Sequence, residues 1–182
     1  MIPFQLQLES TLASFHQLAV MMQLRWSWPF AESAHFIGLT LLFGSIAAWD
    51  LRLMGFLPHV PVTAFHRFIP FAVTGFAINM TSGFLFLVTY PDQYVYNSAF
   101  HLKMLCVLLA GGNVAVFYLT TFRQTVALPV GARLPRRARF AGALSITLWL
   151  TVIVCGRMIT FYRPALCEGR GVAGFIANCV VR

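Results

Sequence analysis

The sequence predicts an all-α integral membrane protein: a four-helix bundle preceded by an amphipathic helix that lies on the membrane surface. Apolar residues make up 59% of the 182 residues and charged residues only 10%, whereas a soluble domain has about 25% charged residues. The apolar residues are also gathered into runs long enough to cross a bilayer, which takes roughly 20 helical residues. Lipid is therefore the expected solvent of most of this chain.

Four apolar runs follow one another along the chain and predict a transmembrane domain over residues 31–163. Glycines are frequent within them, and small residues let membrane helices approach closely. The predicted spans are 31–54, 68–90, 99–122 and 140–162, the last of them interrupted by Arg157.

The first 30 residues have a different pattern. Leu8, Leu12 and Phe15 recur at helical spacing with polar residues between them, and Trp26 and Trp28 follow at positions typical of an interfacial aromatic belt. We therefore expect residues 4–24 to form one amphipathic helix on the membrane, within an N-terminal segment of residues 1–30.

The net charge of +8 comes from arginines placed between the apolar runs rather than on one polar face, so nucleic acid is not an expected partner. The dense loop "ARLPRRAR" precedes the fourth span and predicts that this side is cytoplasmic. Both termini would then be periplasmic in a bacterial inner membrane, including a tail over residues 164–182. Cys167 and Cys179 in that tail are either disulfide-bonded or two free thiols.

Residues of equal depth meet in a bundle even when they are far apart in sequence. At about 1.5 Å per residue, His35, Gly83, His101 and Arg157 fall in one layer near the predicted outer surface. Two histidines on two helices favour a haem b site with His35 and His101 as axial ligands. Gly83 would leave room for the macrocycle, and Arg157 and Lys103 would pair with the propionates.

A divalent metal is the alternative ligand of this layer. Glu32 and His35 are three residues apart and share a helix face, so with His101 they could hold copper or zinc. Glu32 and His35 could also be a protonatable outer gate. Asp50 lies at the other end of the first span, where an ion pair with an arginine is the expected way to stabilise it.

Several stretches carry a resemblance to a known group of proteins: "HFIGLTLLFGSIAAWDLRLMG", "GFAINMTSGFLFL", "FHLKMLCVLLAGGN" and "CGRMITFYRP". The chain resembles a group of uncharacterised bacterial four-helix inner-membrane proteins over residues 30–163. That group is distantly similar to the copper-resistance D membrane proteins and, in architecture, to small b-type cytochromes. The most specific matches are His35 with Gly38, and Asp50 with Arg52 and Gly55. The resemblance implies the four-helix fold but no established activity.

Three functions are compatible with these residues, and none of them predicts a stand-alone enzyme. The leading hypothesis is a haem b membrane subunit that passes electrons between membrane quinol and a periplasmic partner. The second is a periplasm-facing membrane protein that handles copper, another metal or a small ligand. The third is a cofactor-free subunit that anchors a larger membrane complex together with other membrane or periplasmic subunits.

Overall fold

The computed structural model describes residues 2–161, 165–166 and 179–180 of the chain. Helices account for about four fifths of them, and two strands contribute two residues each. In chain order the elements are α1 (Ile2–Ala13), α2 (His16–Met22), α3 (Ser27–Met54), α4 (Val62–His66), α5 (Ile69–Thr89), α6 (Pro91–Val95), α7 (Ser98–Thr120), α8 (Phe122–Val126), α9 (Arg136–Met158), β1 (Ala165–Leu166) and β2 (Cys179–Val180).

Four helices are long and apolar enough to cross a membrane, as the sequence predicts. They are α3, α5 together with the short α4 before it, α7 and α9. The protein is therefore a multi-pass membrane protein whose helices contact the lipid bilayer. We call the side on which α3 begins side X and the side on which α3 ends side Y.

Two ends of the spanning helices have recognisable caps, the end of α3 and the beginning of α7. Gly55 ends α3 in the left-handed conformation, with φ of 108°, which glycine adopts without strain. At the start of α7 the Asn97 side chain accepts a hydrogen bond from the backbone N–H of Ala99, a common N-cap interaction. Pro135 precedes α9 in an extended conformation.

The order of the spanning helices in the bundle is α5, α3, α9, α7, since α3 packs against both α5 and α9, and α9 packs against α7. Glycines lie at the closest approaches. A Cβ atom on Gly75 would lie 2.5 Å from the Gly38 carbonyl oxygen, and one on Gly142 would lie 2.8 Å from the Asp50 carbonyl oxygen. The predicted role of small residues is confirmed at these three glycines, whereas Gly44, Gly111 and Gly112 have no packed neighbour within 4 Å.

The prediction of one continuous N-terminal helix is wrong. The chain forms α1 and α2, separated at residues 14–15. The break lets α1 pack on α6 and α2 pack on α5. Leu12 is consequently buried together with Val88 and Val95, so this segment joins the bundle at side X instead of lying apart from it.

The C-terminal strands β1 and β2 pair in parallel, with Ala165 opposite Cys179 and Leu166 opposite Val180. The two alternatives for Cys167 and Cys179, a disulfide or two free thiols, cannot be compared with the structure, because Cys167 lies outside the described residues. The two cysteines of the spanning helices, Cys106 and Cys155, are free and buried, as their apolar surroundings predict.

Candidate functional site

His35 lies in α3 eight residues after Ser27, about 12 Å along the helix from its beginning. Its Nδ1 atom is 2.8 Å from the Ser82 hydroxyl oxygen of α5. That hydroxyl donates its own proton to the Ile78 carbonyl at 2.7 Å. Ser82 must therefore accept a hydrogen bond from Nδ1–H, which fixes the tautomer of the neutral imidazole and leaves the Nε2 lone pair available.

Lys103 is the charged side chain that acts on the His35 imidazole. It projects from α7 towards α9, where its Nζ atom lies 3.6 Å from the position that a Cβ on Gly156 would occupy. The side chain is half-buried. The Lys103 ammonium therefore lies within electrostatic range of the His35 imidazole, at the level of side X.

His101 does not lie on the same face of α7 as Lys103. Successive residues of an α-helix are about 100° apart, so two residues separated by two positions point in nearly opposite directions. His101 is exposed and donates Nε2–H to the Val95 carbonyl at 2.9 Å. Its face continues through Leu105 and Leu108, which are 52% and 71% exposed. The structure thus brings Lys103, rather than His101, towards His35.

Aromatic side chains surround the outer end of the His35 site. The rings of His35 and Phe86 are 5.6 Å apart between centroids, and Phe86 in turn contacts Trp28 at 4.8 Å. Tyr90 completes the group at 5.6 Å from Trp28. These rings form an apolar, polarisable wall next to the imidazole.

The other predicted site residues are distributed differently. Gly83 lies beside the His35 ring, since a Cβ on it would be 3.8 Å from His35 Cε1; it therefore provides space for the imidazole itself. Arg157 is exposed and stacks over the Phe161 ring at 5.1 Å. Glu32 is exposed and acts electrostatically on Tyr94 of α6.

No group of three or more histidine, cysteine or acidic side chains within residues 2–161 and the two short strands is arranged to hold a metal ion. The predicted set of Glu32, His35 and His101 thus receives no support from the described contacts. Haem ligation by His35 together with His101 stays a prediction, and the opposite faces of His101 and Lys103 do not favour it.

Asp50 forms a second polar centre, nearer side Y. The expected ion pair with an arginine is wrong: Oδ2 of Asp50 has no hydrogen-bond partner among the described residues. The Arg52 guanidinium points elsewhere, donating Nε–H to the Val60 carbonyl at 2.8 Å. The side chain that does hydrogen-bond the Asp50 carboxyl is Ser145 of α9.

Sequence reasoning named Lys103 as a propionate partner in this layer but did not predict that it, rather than His101, faces inwards. It missed Ser145 and Asn113 near Asp50. A signal for Lys103 was present, because Cys106 and Ala110 follow it at helical spacing and are buried. The same helical face therefore carries Lys103 inwards. No comparable signal marks Ser145 or Asn113, which are single polar residues in apolar runs.

Comparison with known proteins adds no assignment: no family model, no curated protein and no solved structure matches this chain.

Proposed function

We propose that this protein is a membrane redox subunit that binds a quinol or quinone head group at the side-X end of its bundle, through His35 and Lys103. The observation that carries the proposal is the His35 imidazole, whose Nδ1 donates a hydrogen bond to Ser82 and whose Nε2 remains available, within electrostatic range of the Lys103 ammonium. Lipid-soluble quinols reach such a depth from the bilayer, without a water-filled entrance.

The chemistry of the two side chains suits this ligand. A quinol head group presents hydroxyl groups on a flat ring. A neutral imidazole nitrogen accepts a hydrogen bond from a hydroxyl, and an ammonium group donates to a carbonyl or phenolate oxygen. Phe86 lies next to His35 and offers an aromatic surface against which the ring can pack. When a partner protein withdraws electrons from the quinol, His35 is the group placed to accept one of its two protons.

Haem b is the second candidate for the same site. A histidine that binds a metal through one ring nitrogen usually donates the other N–H to a fixed acceptor, and His35 makes this contact with Ser82. Lys103 would then meet a propionate. Bound haem would supply one-electron transfer. The two ligands exclude each other at His35, because both would use Nε2.

Measurements on the purified protein separate these ligands. The full chain in detergent is analysed for extracted quinone by chromatography and for haem by oxidised and reduced absorption spectra. Binding of an added short-chain quinone is titrated in parallel. The variants are His35→Gln and Lys103→Met, and His101→Gln is the matched control because it lies two residues from Lys103 on the opposite face.

We expect His35→Gln and Lys103→Met each to raise the Kd for the quinone about 10-fold to 100-fold, the equivalent of losing one hydrogen bond to a charged or ionising group. His101→Gln should leave the Kd unchanged. A Soret band that is present in the wild type and absent in His35→Gln would identify haem, rather than a quinone, as the ligand of His35. A protein with neither ligand, and with no change in any variant, would contradict both candidates and leave the cofactor-free anchoring subunit.

The proposal includes an orientation, with side X facing the periplasm of a bacterial inner membrane. The support is the cluster of arginines at the beginning of α9, since cytoplasmic loops carry an excess of basic residues. Single cysteines at Ser10 and at Arg137, in a background without the native tail cysteines, test it in intact cells. An impermeant thiol reagent should label the Ser10→Cys variant only; labelling of Arg137→Cys alone would reverse the orientation.

A further inference from the structure

The Asp50 carboxyl is a buried ionisable group that the proposed quinol site does not use. The residue is 3% exposed, and it lies four residues before the end of α3. Its Oδ2 atom has no hydrogen-bond partner in the described part of the chain. An unpaired charge in this setting is expensive, and ionisable residues within membrane helices are commonly part of ion or proton pathways.

A cavity of about 50 Å³ adjoins the carboxyl group. This volume is enough for one or two water-sized species, because a water molecule occupies about 30 Å³ in the liquid. Asn113, Tyr118 and Ser145 supply the polar lining. Asn113 donates its Nδ2–H to the Ala141 carbonyl at 2.9 Å, so its Oδ1 atom is the end of the amide left to face a ligand.

The charged and titratable groups around the cavity do not neutralise Asp50. Arg52 donates to carbonyl groups of the loop after α3. Arg139 of α9 is exposed and donates to the Met54 carbonyl at 3.2 Å. The Nε2 atom of His66 lies 3.1 Å from the Tyr118 hydroxyl oxygen. These two side chains therefore hydrogen-bond each other at the side-Y edge of the cavity.

We propose that Asp50 binds a small, exchangeable monovalent cation, either a proton or a sodium ion, at the side-Y end of the bundle. The polar residues that line the cavity are Asp50, Asn113, Tyr118 and Ser145, and each of them carries a side-chain oxygen atom. Oxygen ligands suit hard cations. A proton would instead sit on Oδ2 and convert the carboxylate to a neutral acid.

Because the chain has few acidic residues, the protonation of the Asp50 carboxyl group can be measured directly. The chain has five acidic residues, and of the three whose exposure the structure describes, Glu32, Asp50 and Asp92, Asp50 is the buried one. If a proton is the occupant, infrared spectra of the 182-residue chain in an ester-free detergent at neutral pH should show the C=O band of a protonated carboxyl group. That band should be absent in Asp50→Asn and present in Asp92→Asn, the matched control in the short helix α6.

Sodium binding is measured at equilibrium with radioactive sodium on the same preparations. Potassium and choline salts at equal ionic strength serve as controls. If sodium is the occupant, binding should approach one ion per chain, and Asp50→Asn should abolish it while Asp92→Asn has no effect. Should Asp50→Asn fail to fold, Ser145→Ala replaces it. Removing this hydroxyl should weaken sodium binding about tenfold, the equivalent of one hydrogen bond, or shift the carboxyl band.

Two results would overturn the proposal. One is an ionised Asp50, seen as the absence of a protonated-carboxyl band, in a protein that binds no sodium. The other is a band or a sodium ion that persists unchanged in both Asp50→Asn and Ser145→Ala. Neither result depends on the quinone measurements, because Asp50 and His35 lie 15 positions apart along α3, about 22 Å.

Discussion

The packing of α3 against α5 depends on Gly75, and replacement by alanine should destabilise the bundle. The added Cβ would lie 2.5 Å from the Gly38 carbonyl oxygen and 2.5 Å from the Leu42 backbone nitrogen. Ordinary contacts of a Cβ begin near 3.4 Å. Both neighbours are backbone atoms of a regular helix, so no side-chain rotation relieves the overlap and the two helices must separate by about 0.9 Å.

We expect Gly75→Ala to lower the free energy of unfolding by about 1–3 kcal/mol, the usual range for overpacking a tight interface. The measurement is reversible unfolding of the purified protein in mixed micelles of increasing denaturing detergent, followed by circular dichroism. Gly44→Ala is the control on the partner helix, since a Cβ there meets nothing within 4 Å; it should change the free energy by less than about 0.5 kcal/mol. A Gly75→Ala protein as stable as Gly44→Ala would refute the close approach.

Three further outcomes are expected. Asn97→Ala should lower the free energy of unfolding by about 1–3 kcal/mol, because the fully buried side chain caps α7 and also bonds a backbone carbonyl after α9; thermal unfolding against Asn97→Asp, which keeps the cap oxygen, measures it. Arg52→Gln should cost about 1.5–3 kcal/mol, since a buried guanidinium N–H bonds the Val60 carbonyl at 2.8 Å; Arg67→Gln, an exposed arginine, should have no such effect in the same assay. Burial and, second, the Glu32 carboxylate raise the pKa of Tyr94 to about 12. Its contribution to stability is therefore present below about pH 10, the ordinary pKa of tyrosine, and is lost as the pH rises to about 12. Ultraviolet titration of the tyrosinates in wild type and Tyr94→Phe tests this, and a Tyr94 that ionises with an ordinary pKa would contradict it.

The sequence predicts the spanning helices well, because hydropathy is a local property that adds up residue by residue along the chain. The boundaries differ by only a few residues: α3 begins at Ser27 and α9 at Arg136, each four residues before the predicted start. Both early starts add polar or aromatic interfacial residues, which apolarity alone does not detect. The sequence did not predict the break between α1 and α2, since no glycine or proline marks residues 14–15.

The candidate site was predicted only in part. His35 and Gly83 are neighbours as expected, and the structure adds the hydrogen bond between Ser82 and His35. His101 was expected to face His35, but the structure turns Lys103 inwards instead. Depth along a helix cannot distinguish two residues that are only two positions apart. Asp50 was expected to pair with an arginine, but its nearest arginine in sequence, Arg52, is directed to the following loop.

The sequence by itself determined which segments cross the membrane and at what depth each polar residue lies, because both follow from position along a helix of fixed rise. Only the tertiary structure decided the rotation of each helix about its axis. That rotation depends on contacts between distant segments, such as Gly38 with Gly75 and Gly142 with α3. It turns Lys103 inwards and His101 outwards, and it leaves the Asp50 carboxylate oxygen beside a cavity rather than an arginine.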